Sequence, residues 1–285
     1  MIVPSPLPTS AFIPLIEQAL AEDIGQGDRT TGALFPEPVQ AQARIITHED
    51  IVVAGLFLVA EISQRLDPKI QVDSLVSEGQ SVRAGTILTE LMGDGRSLLT
   101  GERVALNFLQ HLSGIATFTS QFVEAVKGTK AMILDTRKTT PGLRVLEKYA
   151  VRTGGGRNHR MNLSDGILIK DNHIALMGSL KEAVQRVKKK SPSGFKVEVE
   201  AATLKEVEEA LSAEADIILL DNMTVSQIKD AIMLIKGRAL IEVSGGVHLN
   251  NVREIASTGV DFISIGALTH SARAVDISMD IVAVG

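Results

Sequence analysis

The chain has 285 residues, 45% of them hydrophobic, a net charge of −5 and no cysteine, so disulfides and thiolate metal sites are excluded. Net acidity, one tyrosine and no tryptophan argue against nucleic acid as the main partner. With no apolar run of about 18 residues and no Arg- or Lys-led apolar leader, we expect no membrane association and a cytoplasmic location.

Leu15, Ile16, Ala19 and Leu20 recur at helical spacing, and the stretch Gln26–Thr31 ends that helix. Residues 41–53 alternate and are rich in β-branched side chains, which predicts strands with a turn near Glu49–Asp50. Leu56–Leu66 returns to helical spacing. Residues 70–95 read as short strands with turns at Glu78–Gly79, Ala84–Gly85 and Gly93–Gly95. The first third is therefore an α+β domain. A helix follows over about Thr100–Leu112, burying Val104, Leu106, Phe108, Leu109 and Leu112, with Arg103 and His111 off that stripe or at its edge. Residues 118–126 continue helically and Lys127–Gly128 stops them.

The rhythm then changes. Apolar runs at 132–134, 167–169, 197–199, 217–220, 240–243 and 262–265 alternate with helical patterns at 180–190, 204–211, 226–236 and 250–257. The last four runs end at Glu200, Asp221, Ser244 and Gly266, spaced 21, 23 and 22 residues apart. A strand–helix–strand unit at that period builds a parallel sheet, and six such runs point to a closed or nearly closed β/α barrel. The runs lack strict alternation, as expected of strands buried on both faces.

In such a barrel, chemistry gathers at the C-terminal strand ends. Reading the residue after each run yields Asp135, Lys170, Glu200, Asp221, Ser244 and Gly266. Between residues 131 and 175, eight cations (Arg137, Lys138, Arg144, Lys148, Arg152, Arg157, Arg160, Lys170) face four acids (Asp135, Glu147, Asp165, Asp171) in a chain that is acidic overall. Positive charge concentrated this way attracts anions. Arg144, Lys148 and Arg152 read equally well as a solvated helix face. The loops Ser244–Gly245–Gly246 and Gly266–His270 offer glycine backbone amides of the kind that seat phosphate after the last barrel strands. Glu200 and Asp221 suit sugar hydroxyls or a hard cation such as Mg²⁺. Capping explains Asp221 poorly, because Thr224 is the better N-cap. His48, His111 and His248 read as structural.

Several stretches together resemble the quinolinate phosphoribosyltransferases: residues 101–117, 136–142, 154–160, 168–174, 198–200 and 219–223, and the Gly loops near 244 and 266. Their order and spacing are preserved from about Glu22 to Ala274. The resemblance implies an N-terminal α+β sandwich (1–115) and an incomplete, open β/α barrel (116–270), followed by a C-terminal segment (271–285) whose return to pack on the first domain the sequence leaves open. It implies transfer of phosphoribose from phosphoribosyl pyrophosphate to quinolinate, with Mg²⁺ and loss of CO₂. Arg137, Lys138, His159, Arg160 and Lys170 would hold the quinolinate carboxylates and nearby phosphate oxygens. Arg103 would reach in from the partner subunit of a homodimer or dimer-based hexamer. Glu200 and Asp221 would hold ribose hydroxyls and the metal. Ser244, Gly245, Gly246, Gly266 and His270 would seat the 5′-phosphate. Lys138, Lys170, Glu200 and Asp221 are the expected catalytic set.

Other readings are a molybdenum-associated homologue, whose pattern lacks Lys170–His173, and an aldolase with Lys170 as Schiff-base nucleophile. Residues 76–92 have the glycine turns of a lipoyl carrier but no lysine at a hairpin tip, so they read as structural.

Overall fold

The structure, a computed structural model, describes residues 6–191 and 194–284, so the ends of the expected first domain and of the C-terminal segment lie outside it. The chain forms two compact units.

One unit comprises Met1–Ser120, Thr139–Gly155 and Leu268–Gly285. Its four-stranded antiparallel sheet runs in the order Ile277–Ala283, Gln40–Thr47, Ile87–Asp94, Gln71–Ser74. Strand Gln40–Thr47 buries Ala41, Ala43, Ile45 and Thr47 and turns the residues between them outward, the period-two signature of a sheet with one wet face. Ile277–Ala283 adds to its edge in antiparallel register, Ala41 opposite Ala283. The core includes Phe12, Phe57 and Tyr149, stacked edge-to-face with ring centroids 5.2 and 5.4 Å apart.

Two expectations need correction in this unit. No turn separates the strand from the helix at Gly93–Gly95, because Asp94 accepts from the Arg96 amide (3.1 Å) and the helix starts at once. That helix is continuous over Gly95–Ala125, 31 residues, rather than a helix at 100–112 with a later continuation. Gly114 lies inside it because a Cβ there would stand 2.1 Å from the Arg273 carbonyl oxygen; the glycine marks a close approach of backbone, not a break.

The second unit comprises Gln121–Lys138 and Gly156–Ala267. Its sheet is wholly parallel, with six strands in the order Met132–Leu134, Phe262–Ser264, Leu240–Ser244, Ile217–Asp221, Val197–Ala201, Ile167–Ile169. Among the described residues the first and last of these strands do not pair, so the barrel is open. Helices Leu180–Lys190, Leu204–Ser212, Val225–Ile235 and Leu249–Ser257 alternate with the strands. Thr203 and Thr224 cap two of them in capping boxes, leaving Glu200 and Asp221 free of that duty. Among the described residues no helix is long and apolar enough to cross a membrane.

Candidate active site

Partners in a parallel register point to the same face of the sheet. Glu200 pairs with Leu219, Asp221 with Ser244, and Ser244 with Ser264. Glu200, Asp221 and Ser244 therefore project from one face at the C-terminal strand ends. The other face carries Val197, Val199, Ile218, Leu220, Ile241, Val243 and Ile263, each 5% exposed or less. Lys170 follows Ile169 in extended backbone and sends its Nζ to Glu200 Oε2 at 2.5 Å. Half-exposed and paired with a carboxylate, it lacks the apolar enclosure that a Schiff-base lysine uses. Its amide donates to His173 Nδ1 (2.9 Å), which makes His173 part of a helix cap.

The glycine loop after Ser244 is shaped by its neighbour. Gly245 has φ +87°, and a Cβ there would lie 2.2 Å from Asn222 Oδ1. Asn222 itself has φ +54° and donates its amide to the Ser244 carbonyl oxygen at 2.9 Å. Asn251 Nδ2 donates to the Gly246 carbonyl oxygen at 2.9 Å, tying the loop to the helix that follows. Gly245→Ala is expected to force this loop open and raise KM for the phosphorylated substrate about tenfold, as overpacking of roughly 1–3 kcal/mol requires. Steady-state kinetics with each substrate varied in turn checks it.

The cation cluster divides. Burial and the adjacent Arg137 guanidinium pull Arg160 below its ordinary value, with Glu198 opposing. The two guanidiniums thus feel each other's charge, and two like charges in one field suit a ligand with two carboxylates. Arg160 Nη1 also donates to the Gly166 carbonyl oxygen (3.0 Å). Lys138 is anchored at its backbone, its amide donating to Thr136 Oγ1 (3.0 Å). Gly266 follows the strand Phe262–Ser264 in the same unit. Arg103 and His270 belong to the other unit. So does Lys148, which is fully buried and not on a solvated face. There Glu147, also fully buried, accepts from His111 Nε2 (2.9 Å) and the Thr140 amide (3.0 Å).

Two acids at the centre of the second unit escaped the sequence reading, which took only the residue after each run. Glu198 and Glu242 lie inside the runs, 5% and 2% exposed. They point to the same face as Glu200 and Ser244, two residues on in each strand. A charged residue within an apolar strand was the available signal, and Val197–Ala201 does alternate strictly. His159 Nε2 approaches Glu198 Oε2 at 3.1 Å and Glu242 Oε1 at 3.6 Å. His159, Arg160, Glu198 and Glu242 border one cavity with Asp165 and Lys196. Asp135, fully buried, accepts from the His159 amide (2.9 Å) and Asn158 Nδ2 (2.5 Å), so it organises the 157–160 loop.

Burial first, then the neighbouring Glu198, pushes the Glu242 carboxyl up to about 7, with His159 working the other way. The folded protein therefore binds this proton more tightly than the unfolded chain does. Its stabilising contribution is complete below about pH 4.5 and is lost as pH rises to about 7. Glu242→Gln cannot ionise, so its thermal midpoint relative to the parent should be higher at pH 8 than at pH 5. The gain has an upper size of about 3 kcal/mol. Thermal melts at the two pH values test it, and a pH-independent difference would contradict it.

The chain matches two family models described as quinolinate phosphoribosyl transferase, the N-terminal domain over residues 28–113 and the C-terminal domain over residues 115–280. It is 46% identical to a probable nicotinate-nucleotide pyrophosphorylase (carboxylating) of Synechocystis, covering 99% of this chain and 98% of that one. A probable enzyme of the same name from Bacillus subtilis is 42% identical over 94% of this chain and 92% of its own length. Among solved structures, the nicotinate-nucleotide pyrophosphorylase of Francisella tularensis superposes with a TM-score of 0.91 at 43% identity, covering 97% of this chain and 98% of that one.

Proposed function

The chain belongs to the quinolinate phosphoribosyltransferase family, and from that premise we propose that it transfers phosphoribose from phosphoribosyl pyrophosphate to quinolinate. The products are nicotinate mononucleotide, pyrophosphate and CO₂, a step of NAD biosynthesis. The observation that carries this reading is one sheet face in which Lys170–Glu200, Asp221 and Ser244 line up at the strand ends. The Arg137–Arg160 pair lies in the same unit.

Each residue has a task in that reaction. Arg137, Lys138, Arg160 and Lys170 hold the two carboxylates and nearby phosphate oxygens, for which guanidinium forks are well shaped. Glu200 and Asp221 hold the ribose hydroxyls, and their negative charge favours the positive charge that develops on the ribose as pyrophosphate leaves. Ser244, Gly245, Gly246 and Gly266 receive the 5′-phosphate through backbone amides, with His270 assigned to the same phosphate. Decarboxylation needs no dedicated base, because the positive charge of the adjacent pyridinium nitrogen stabilises the electron pair left on C2 as CO₂ departs, and a proton from solvent then takes that position. No covalent intermediate with the chain is involved.

Glu200 and Asp221 are oxygen donors on adjacent strands in a chain without cysteine, a set that fits a hard cation. Mg²⁺ held there with the substrate would neutralise the departing pyrophosphate. The active unit is a homodimer or a dimer-based hexamer in which Arg103 serves the partner's site. Incubation with quinolinate, phosphoribosyl pyrophosphate and Mg²⁺ should form nicotinate mononucleotide, and EDTA should abolish it. Equal product from nicotinate in place of quinolinate would refute the assignment.

A further inference from the structure

The strand Met132–Leu134 stands at one end of the parallel sheet. One side of it pairs with Phe262–Ser264, and the other meets the segment that carries Asn158, His159 and Arg160. Leu134 and Arg157 form a parallel bridge there. The Arg157 amide donates to the Ile133 carbonyl oxygen (2.9 Å) and the Asp135 amide to the Arg157 carbonyl oxygen (3.1 Å). In a parallel ladder the next rung would run from the His159 amide to the Asp135 carbonyl oxygen. Here the Asp135 side chain takes that rung. Its Oδ1 accepts from the His159 amide at 2.9 Å, and its Oδ2 accepts from Asn158 Nδ2. The carboxylate is wholly enclosed, so both oxygens depend on such donors. Arg137 and Lys138 follow it by two and three residues in the chain.

We propose that Asp135 is a positioning residue for the pyridine dicarboxylate. Its side chain ties the backbone of residues 157–160 to the strand end from which Arg137 and Lys138 depart, so both cationic stretches are placed from one anchor. The inference rests on the reading that Arg137, Lys138 and Arg160 bind quinolinate. Asp135 is enclosed and acts only through the residues it holds. Glu200, Asp221 and the glycine loop after Ser244 hang from other strands, Val197–Ala201, Ile217–Asp221 and Leu240–Ser244. Loss of the tie should therefore reach one substrate and spare the other. A carboxylate that merely stabilised the sheet would show no such selectivity.

Two measurements on the full chain test the proposal. In kinetics, Asp135→Ala should lower kcat/KM for quinolinate on the order of 10²-fold, the cost of misplaced binding groups. Most of that loss should fall in KM for quinolinate, with KM for phosphoribosyl pyrophosphate within a few-fold of the parent. Asp135→Asn should restore most of it. Its oxygen still accepts from the His159 amide, and the Asn158 amide can turn its own oxygen toward the new NH₂. Asn158→Ala leaves Asp135 in place and should raise KM for quinolinate about 3- to 10-fold, the worth of one hydrogen bond. It carries the same test should Asp135→Ala fold poorly. The second measurement is amide hydrogen exchange in the substrate-free protein. In Asp135→Ala and in Asn158→Ala, Arg157 and His159 should exchange on the order of tenfold faster or more, as expected of local opening. Val197–Ala201 and Leu240–Ser244 should stay as protected as in the parent. Equal rises in KM for both substrates, equal losses for Asp135→Ala and Asp135→Asn, or exchange accelerated throughout the sheet would overturn the proposal. Exchange does not depend on turnover, so absence of quinolinate chemistry in the parent protein would strike the functional reading alone.

Discussion

Lys170→Ala is expected to lower kcat on the order of 10²- to 10³-fold while the protein stays folded. The lysine stands at the end of strand Ile167–Ile169 with its backbone held independently of its side chain, since its amide caps the next helix through His173. Truncation therefore removes one fixed positive charge and little else. A preorganised charge or donor at developing transition-state charge is typically worth that factor. The half-exposed position keeps the stability cost within about 0.5 kcal/mol. Arginine should not rescue the variant, because a planar fork cannot take the place of a point charge at 2.5 Å from Glu200 Oε2. Turnover at saturating substrates, with a thermal melt as control, decides the matter. Full turnover would remove Lys170 from the catalytic set.

Arg160→Ala is expected to raise KM for quinolinate about 10- to 10²-fold and to leave KM for phosphoribosyl pyrophosphate within a few-fold. Charge-assisted hydrogen bonds contribute roughly 1.5–3 kcal/mol each, and 1.4 kcal/mol is a factor of ten. The effect should be selective because Arg160 feels the charges of Arg137 and Glu198, whereas the glycine loop assigned to phosphate hangs from Ser244 and Asn222. Varying each substrate at saturation of the other separates the two constants. Equal rises in both would mean that Arg160 supports the fold of the site and not one ligand.

Much of the second unit was legible in the sequence because a parallel sheet writes itself as apolar runs at a regular period. The strand ends then follow by counting, and Lys170, Glu200, Asp221 and Ser244 all fall on one face as that counting implies. What counting missed lies one pleat deeper. Glu198 and Glu242 sit within the runs, two residues before the strand-end positions, and alternation carries them to the same face. Buried acids inside a strand read as ordinary strand residues until a partner such as His159 is seen beside them. Lys148 misled for the opposite reason: a cation at helical spacing suggests a wet face, yet the side chain is wholly enclosed. Gly114 shows why a glycine in a helical pattern is ambiguous, since only the approach of the Arg273 carbonyl explains it. The helix Asp171–Met177 was hidden because its cap is made by a histidine ring, not by one of the usual capping residues.

The central claim is that the arginine pair and Lys170 hold a pyridine dicarboxylate beside an activated ribose, so that loss of carboxylate follows ribosyl transfer. Quinolinate labelled with ¹⁴C in its 2-carboxyl group tests this most directly. The account predicts labelled CO₂ in one-to-one ratio with nicotinate mononucleotide, and none when phosphoribosyl pyrophosphate is left out. Labelled CO₂ released without phosphoribosyl pyrophosphate, or nucleotide formed with the label retained, would contradict it.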